Sequence, residues 1–321
     1  MQTPFEKMKL DSQSGASLKR IRKPILEKTK KTSKAHIDLF VQKSLKINGH
    51  WESVKSLKEC HKGQYCGNIY CRTCRDRMGL KMLRRYQSYL SRENMSESSC
   101  RARLRHITII HGLIPADKKQ VKTSQKNVRN KYNSFSRKWP NAWYQGAFEY
   151  ELIDMQKVLN HIHDQGSQSR KKAVLLDLVG CKPDMFEERD STWTDDDGNK
   201  RSDYILLHTH FLMDAAQYKW ADISDNMRKR WPGEYMVNVQ SLWDSNKLSL
   251  KDSLKTIASY PFKNRCNFNY DFGNFGWERG SDGFDDINMF NVNEMVTLFN
   301  TYKHLIGGNN AGHLLSSNKS K

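Results

Sequence analysis

Tyr204-Ile-Leu-Leu-His-Thr-His-Phe-Leu-Met213 is an apolar run that is interrupted chiefly by two histidines. Its length and composition predict a buried β-strand. Because successive side chains of a strand point to opposite faces, His208 and His210 are predicted to lie side by side on one face. Two parallel imidazoles on a rigid strand supply half of a divalent-metal site. The alternative is a pair of histidines that are hydrogen-bonded inside the core.

A second strand is predicted over residues 143–153, where apolar and acidic side chains alternate. The alternation places Glu149 and Glu151 on the same face of that strand. Two carboxylates are costly to bury without a cation, so we predict that one of them is the third metal ligand. If that face is solvated instead, both are ordinary surface residues.

Four cysteines, Cys60, Cys66, Cys71 and Cys74, lie close together in the sequence. The Cys71-x-x-Cys74 spacing is typical of a zinc knuckle, and four thiolates complete a tetrahedral Zn²⁺ site, with His61 as a spare candidate. The chain has seven cysteines in all. Their odd number and irregular spacing argue against a secreted disulfide framework. Reduced thiols in a small core, or a redox pair, are the alternatives to zinc.

Positive charge dominates the chain, which has 54 Lys and Arg against 35 Asp and Glu and a net charge of +19. Such an excess predicts a polyanionic partner, most simply nucleic acid, with an anionic membrane surface as the alternative. A basic helix is predicted to follow the cysteines. Its candidate DNA-binding residues are Arg72, Arg75, Arg77, Lys81, Arg84 and Arg85. A merely solvated helix face is the other interpretation of these six side chains.

Composition suggests four segments along the chain. We expect a basic flexible tail at 1–35, a zinc-binding module with the basic helix at 36–95, a larger domain at 96–306 and a disordered tail at 307–321. We expect an insertion or a long hairpin at about 154–203, with a loop tip at Asp195-Asp-Asp-Gly-Asn-Lys200. Further helices are predicted over 115–139, 221–231 and 248–259, and a strand over 235–240. No apolar run approaches the length of a membrane span, so we expect a soluble, cytoplasmic protein without a membrane partner.

Three segments occur in an order that is typical of one enzyme family. They are His106-Ile-Thr-Ile-Ile110, Leu207-His-Thr-His-Phe-Leu-Met-Asp214 and Ile257-Ala-Ser-Tyr-Pro-Phe-Lys263. Together they resemble the three motifs of plasmid rolling-circle replication initiators, which belong to the His-hydrophobe-His (HUH) endonucleases. The cysteine cluster resembles the zinc-binding segment of many plasmid members. The resemblance, over roughly residues 50–265, implies an α+β fold in which flanking helices cover a central antiparallel sheet of the HUH, ferredoxin-like or RRM-like, type.

The resemblance also implies a reaction. Tyr260 would attack a scissile phosphate of origin DNA, single-stranded or in a cruciform, and would leave a 5′-phosphotyrosine and a free 3′-hydroxyl primer. His208 and His210, with Glu149 or Glu151, would hold a catalytic Mn²⁺ or Mg²⁺. Lys263, three residues after the tyrosine, would hold the phosphate or lower the tyrosine pKa. Pro261, which lacks an amide proton, is predicted to bend the chain or to open a new turn, and either geometry is expected to present the phenol outward. Host helicase and polymerase are the further partners that the family implies.

The sequence departs from the family pattern at two positions and in the length of the insertion at about 154–203. Thr209 stands inside the His-x-His where a bulkier residue is usual, and Thr256 stands where many plasmid members carry a glutamate, the nearest acid being Asp252. The second departure leaves the water-activating step of termination without an assigned residue. A related HUH relaxase or transposase shares the same chemistry. A non-catalytic zinc-containing nucleic-acid-binding protein would explain the charge and the cysteines but not the histidines and Tyr260.

Overall fold

The computed structural model describes residues 41–61, 63–67, 71–155, 192–233, 236–242, 249–262, 295–297, 299 and 314–316. Residues 41–47 are helical. The further helices are α1 (Trp51–Lys58), α2 (Arg72–Arg92), α3 (Glu97–Arg103), α4 (Lys118–Lys138), α5 (Trp220–Arg230) and α6 (Leu250–Ser259), which a 3₁₀ turn, Tyr260–Phe262, extends. The strands are β1 (Leu104–Pro115), β2 (Trp143–Asp154), β3 (Trp193–Thr194), β4 (Lys200–Arg201), β5 (Asp203–Asp214), β6 (Val237–Ser241) and β7 (Leu314–Ser316).

A five-stranded antiparallel sheet with the order β6-β1-β5-β2-β7 forms the centre of the protein. The His-x-His strand, β5, is its middle strand and, as predicted, is buried along almost its whole length. Helices cover both faces of the sheet. Tyr89 of α2 stacks on Trp143 on one face, and Tyr132 of α4 packs against Phe211 on the other. The predicted α+β class with flanking helices is therefore confirmed.

The predicted helices form because their apolar stripes and their caps agree. In α4 the Asp117 side chain accepts a hydrogen bond from the amide of Gln120, and in α6 Ser249 accepts one from Asp252. The buried stripe of α4 comprises Val121, Gln125, Val128, Tyr132 and Phe135. Its period of three to four residues is the one that the sequence predicted. The short helix α1, by contrast, was not predicted.

A buried carboxylate fastens the end of β5 to the helices. Asp214 is fully buried and accepts hydrogen bonds from Tyr89 of α2 at 2.8 Å and from Arg103 of α3 at 2.6 Å. Its other oxygen accepts from the amide of Ala216, at 2.7 Å, in the following turn. Helix α2, helix α3 and the turn after β5 are thus all hydrogen-bonded to the Asp214 carboxylate. Because a buried charge is stable only when it is paired, this cluster fixes where α2 lies on the sheet.

Two predictions about the less regular segments have different outcomes. The loop at Asp195–Lys200 is confirmed as the turn of the small β3–β4 hairpin. The prediction of disorder for the whole tail 307–321 is wrong, because Leu314–Ser316 pairs with β2 as an edge strand. The amide of Gln145 donates to the carbonyl of Leu315, and Arg129 donates to that of Leu314. These bonds hold the short strand where its own three residues would not.

Other predictions fall outside the described residues. They concern the tail 1–35 and most of the insertion at 154–203, of which only 154–155 and 192–203 are described. Among the described residues, none of the helices combines the length and the apolar character that crossing a bilayer requires.

Removing the buried carboxylate should destabilise the fold. We expect Asp214→Ala to lower the free energy of unfolding by about 3 kcal/mol, at the low end of the cost of breaking a buried ion pair, because Arg103 is partly solvated. Asp225→Ala is the matched control, since the exposed Asp225–Arg228 pair should contribute less than about 1 kcal/mol. Urea denaturation measures both. Equal small losses in the two variants would show that Asp214 does not anchor the helices.

Candidate active site

Three side chains meet at the centre of the sheet. The pairing of β2 with β5 sets Glu149 opposite His208, so the two lie on the same face. Oε2 of Glu149 is 2.9 Å from Nε2 of His210 and 3.6 Å from Nε2 of His208. One donor atom from each of the three residues lies within 4.8 Å of the other two. All three side chains are buried.

These donors fit a divalent cation. Nε2 of His210 is buried and makes no hydrogen bond, although a carboxylate oxygen is close. Nδ1 of the same ring lies 3.0 Å from the hydroxyl of Thr108. When Nδ1 donates to that hydroxyl, Nε2 keeps its lone pair for a metal. Two imidazole nitrogens and one carboxylate oxygen leave coordination positions open for substrate oxygens.

The structure distinguishes between the two glutamates. Both are buried, at 2% exposure for Glu149 and 5% for Glu151, so the expectation of an ordinary surface face does not hold. Glu149 pairs with His208, whereas Glu151 pairs with Leu206, one step further along the strands. Only Glu149 belongs to the three-residue group. We therefore assign the third donor to Glu149.

Tyr260 lies against this group. Helix α6 ends at Ser259, and the 3₁₀ turn carries the tyrosine onto the sheet face. Its ring centroid is 4.5 Å from that of His210 and 6.1 Å from that of His106. The expectation of an outward phenol is wrong, because Tyr260 is only 8% exposed. The turn directs the ring to the histidines instead of to bulk solvent.

Sequence reasoning missed two residues of the site. Thr108 and His106 lie in β1, on the same face of the sheet as His210. Their cross-strand pairing shows this, because Thr108 pairs with His210 and His106 pairs with Leu212. Burial, reinforced by neighbouring His210, lowers the pKa of His106 to about 3, so its ring is neutral at neutral pH. The alternation along β1 could have placed both residues on one face. Only the register of β1 with β5 shows that this face is the one that carries His208 and His210.

The reverse face of β5 explains the small residue between the histidines. Thr209 is fully buried there, and its hydroxyl lies 2.5 Å from that of Tyr132 and 2.9 Å from Nε2 of His111. A bulkier apolar residue would lose both hydrogen bonds. Thr209 thereby ties β5 to β1 and to α4 directly behind the two histidines.

Close backbone packing also constrains the site. A Cβ atom at Gly146 of β2 would lie 2.2 Å from the carbonyl oxygen of His210 and 2.2 Å from Cβ of Phe211. No side chain fits at such distances, so only glycine allows β2 to approach β5 here. This approach keeps Glu149, three residues on, within reach of the histidines.

The four cysteines form a second cluster, as predicted. Sγ of Cys74 lies 3.5 Å from Sγ of Cys60 and 3.6 Å from Sγ of Cys66, and all four sulfur atoms are within 4.8 Å of one another. Zinc with bonds of about 2.3 Å to four sulfurs holds them roughly 3.8 Å apart. The amides of Gly67 and Cys66 donate to Cys74 and Cys60. The metal itself stays a prediction.

Titration of the cluster also favours a cation. A hydrogen bond from Cys66 lowers the pKa of Cys71, whereas burial raises the pKa of Cys74. One thiolate therefore forms readily and makes the next one harder to form. A bound cation would remove the repulsion between neighbouring thiolates and so would favour deprotonation of the other cysteines.

The basic helix is α2, and its predicted residues are unequally placed. Arg77, Lys81 and Arg84 are exposed, whereas Arg75 and Arg85 are half-buried. The side chain of Arg72 and the whole of Lys263 lie outside the described residues. The structure therefore leaves the predicted role of Lys263 beside the tyrosine as a prediction.

Glutamine in place of the third donor should weaken metal binding. Glu149→Gln keeps the side-chain shape and removes the charge, so we expect the affinity for Mn²⁺ to fall by more than about tenfold. Glu151→Gln is the matched control and should bind Mn²⁺ like the wild type. Isothermal titration with Mn²⁺ measures both variants. A weaker Glu151→Gln beside a normal Glu149→Gln would reverse the assignment.

The cysteine cluster should bind about one zinc ion per chain. Elemental analysis of protein purified under reducing conditions measures the content. Cys74→Ser should lose the ion, because it removes one of four ligands. Cys100→Ser should keep it, since Cys100 is a buried thiol of α3 that lies outside the cluster. Zinc-free wild-type protein after supplementation with zinc would refute the prediction.

No protein-family model matches this chain, and no curated protein or solved structure matches it significantly either. The chemistry that the protein can perform therefore follows from the residues of its two clusters and their surroundings. The residues that carry it are a buried group of two imidazoles and a carboxylate, a tyrosine in ring contact with that group, and a cluster of four thiols beside a basic helix.

Proposed function

We propose that this protein is a metal-dependent DNA nicking and joining enzyme of the HUH type that initiates rolling-circle replication of a plasmid. The observation that carries the proposal is the contact between Tyr260 and His210 at a buried pair of histidines and a carboxylate. The proposed nucleophile and the candidate metal site thus lie on the same face of the sheet. The assignment to replication initiation rests on the resemblance of the three motifs.

The metal site would support the reaction by electrostatics. His208, His210 and Glu149 would hold Mn²⁺ or Mg²⁺, which, when bound, withdraws charge from a scissile phosphate. Thr108 orients the ring of His210, and Thr209 holds the strand from behind. The buried surroundings strengthen each of these interactions, because the local dielectric constant is low.

Tyr260 is the proposed nucleophile. Its phenolic oxygen forms a bond to phosphorus while the bond from phosphorus to the 3′ oxygen breaks. The phenol gives up one proton, and the departing 3′ oxygen takes up one, so the 5′ end stays on the protein and a 3′-hydroxyl is released. Reversal of the same step joins strands without an added energy source. Because Tyr260 is almost fully buried, a single strand suits the site better than an intact duplex.

A non-catalytic nucleic-acid-binding protein is the main competing function. The charge and the cysteines would serve it equally well. It gives no reason for burying Glu149 between two histidines in contact with a tyrosine, an arrangement that costs stability in the absence of a cation. A relaxase or a transposase shares the proposed chemistry and differs in the DNA on which it acts.

Removal of the phenolic oxygen should abolish covalent attachment to DNA. Tyr260→Phe keeps the ring and its packing against His210, so we expect a stable protein that binds DNA but forms no adduct with it. The assay incubates the protein and Mn²⁺ with radiolabelled single strands of the plasmid origin, followed by a denaturing gel. The control is Tyr218→Phe, since Tyr218 packs against Trp139 away from the site. An adduct that persists in Tyr260→Phe would place the nucleophile elsewhere.

A further inference from the structure

Helix α2 has one face in the core and one in solvent. Its buried side chains are Cys74, Met78, Met82, Tyr86 and Tyr89. Its exposed side chains include Arg77, Leu80, Lys81, Arg84 and Ser88. Spacings of three and four residues put these exposed side chains along one stripe. The stripe, called the outer face of α2 below, is open in the described structure.

The charge of α2 favours an anionic partner. The helix carries six arginines and one lysine against the single acid Asp76. Like charges one turn apart destabilise a helix slightly, and an anion bound along this face offsets their repulsion. Because the basic residues are spread over several turns, a polyanion that follows the helix axis offsets more of their charge than a small anion does.

Arg77 is held in a fixed orientation. Its guanidinium carbon lies 3.8 Å from the centroid of the Tyr65 ring. Tyr65 belongs to the loop between Cys60 and Cys66, so the cysteine cluster sets the position of the ring. A guanidinium that packs over an aromatic ring keeps the N–H groups of its edge available for hydrogen bonds in one plane. A planar fork of this kind suits two acceptors on one base edge, such as O6 and N7 of guanine.

Leu80 adds an apolar group to the same stripe. It is 52% exposed and follows Arg77 by three residues, beside Lys81. Phosphate groups offer an apolar side chain no contact. The edge of a base pair does, through the methyl group of thymine. The outer face therefore combines the guanidinium of Arg77, the apolar side chain of Leu80 and neighbouring cations. Such a combination suits contacts with the edges of bases.

We infer that the outer face of α2 is a recognition surface for double-stranded DNA and enters its major groove. A helix about 10–12 Å across fits a groove about 12 Å wide. The rise from Arg77 to Arg84 is about 10 Å, or roughly three base pairs. This inference rests on the proposed function for the identity of the DNA, an origin duplex next to the nick site.

The inner side of α2 connects this surface to the tyrosine. A Cβ atom at Gly79 would lie 3.6 Å from Cα of Ser259, so the two helices pack closely where α6 ends. Tyr260 is the next residue. A duplex on the outer face would therefore lie about one helix diameter from the turn that carries the proposed nucleophile. Duplex recognition and single-strand cleavage can then take place at neighbouring positions of one origin.

The test is a selection from a library of 20-base-pair duplexes with random interiors, performed on full-length Tyr260→Phe protein to prevent nicking. We expect a selected core of about three base pairs that contains a guanine. Arg77→Lys keeps the charge and removes the fork, so its affinity for the selected duplex should fall about 5- to 150-fold. Its affinity for unselected duplexes should change by less than about threefold, because phosphate contacts are retained.

Two further variants separate the parts of the surface. Tyr65→Leu should reproduce the loss seen in Arg77→Lys, and the double variant should lose no more than either one. Lys122→Ala removes an exposed cation from α4, on the opposite side of the sheet, and should leave selectivity unchanged. Thermal melting and zinc content establish that each variant is folded.

Several results would overturn the inference. They are the absence of any selected core, equal discrimination by Arg77→Lys and the wild type, or tighter binding of a 20-nucleotide single strand than of any duplex through Arg77. The covalent-adduct assay is independent of all three. Absence of a selected core, together with normal adduct formation by the Tyr260-containing protein, would refute this inference alone, whereas absence of the adduct would refute the proposed function.

Discussion

The antiparallel pairing of Glu149 with His208 is the constraint on which the site depends. The side-chain period of a strand is two residues, so a slip of one residue between β2 and β5 would move Glu149 to the reverse face. The pairing of Thr108 with His210 fixes the third strand in the same way. The bulge of β1 lies beyond these pairs, between Ile110 and Gly112, so the register at the site is intact. The side chain of His111, within the bulge, lies on the reverse face and contacts Thr209.

Burial of so many polar groups in the sheet requires compensation on both faces. On the reverse face, Thr209, Tyr132 and His111 compensate one another by hydrogen bonds. On the site face, a carboxylate lies between two imidazoles, and protonation of one imidazole or binding of a cation can neutralise it. A divalent cation neutralises the carboxylate while both imidazole rings stay neutral, which is the form that binds a metal. The donor chemistry thus favours the metal without any appeal to related proteins.

The strong periodicity of the apolar residues made much of the fold predictable. The composition of the site, by contrast, depends on the register between neighbouring strands. The stripe of α4 and the apolar run of β5 are signals that tertiary contacts reinforce, and both elements formed as predicted. The choice between Glu149 and Glu151 depended on which residue pairs with His208, and a single strand does not contain that information. The same holds for Thr108. Strand β7 has only three residues and forms because Gln145 and Arg129 bind its carbonyls, which are contacts over long sequence separations.

The two clusters differ in a way that matches different tasks. Four thiols saturate a tetrahedral ion, so a metal there would be closed to substrates and would serve structure. Glu149 and the two histidines leave coordination positions open, as a reactive centre requires. Helix α2 connects the clusters, because Cys71 caps it and Cys74 lies in its first turn, while Gly79 packs against Ser259 beside Tyr260. One helix thus extends from the thiol cluster to the turn that carries the proposed nucleophile, and it places a closed structural site next to an open reactive one.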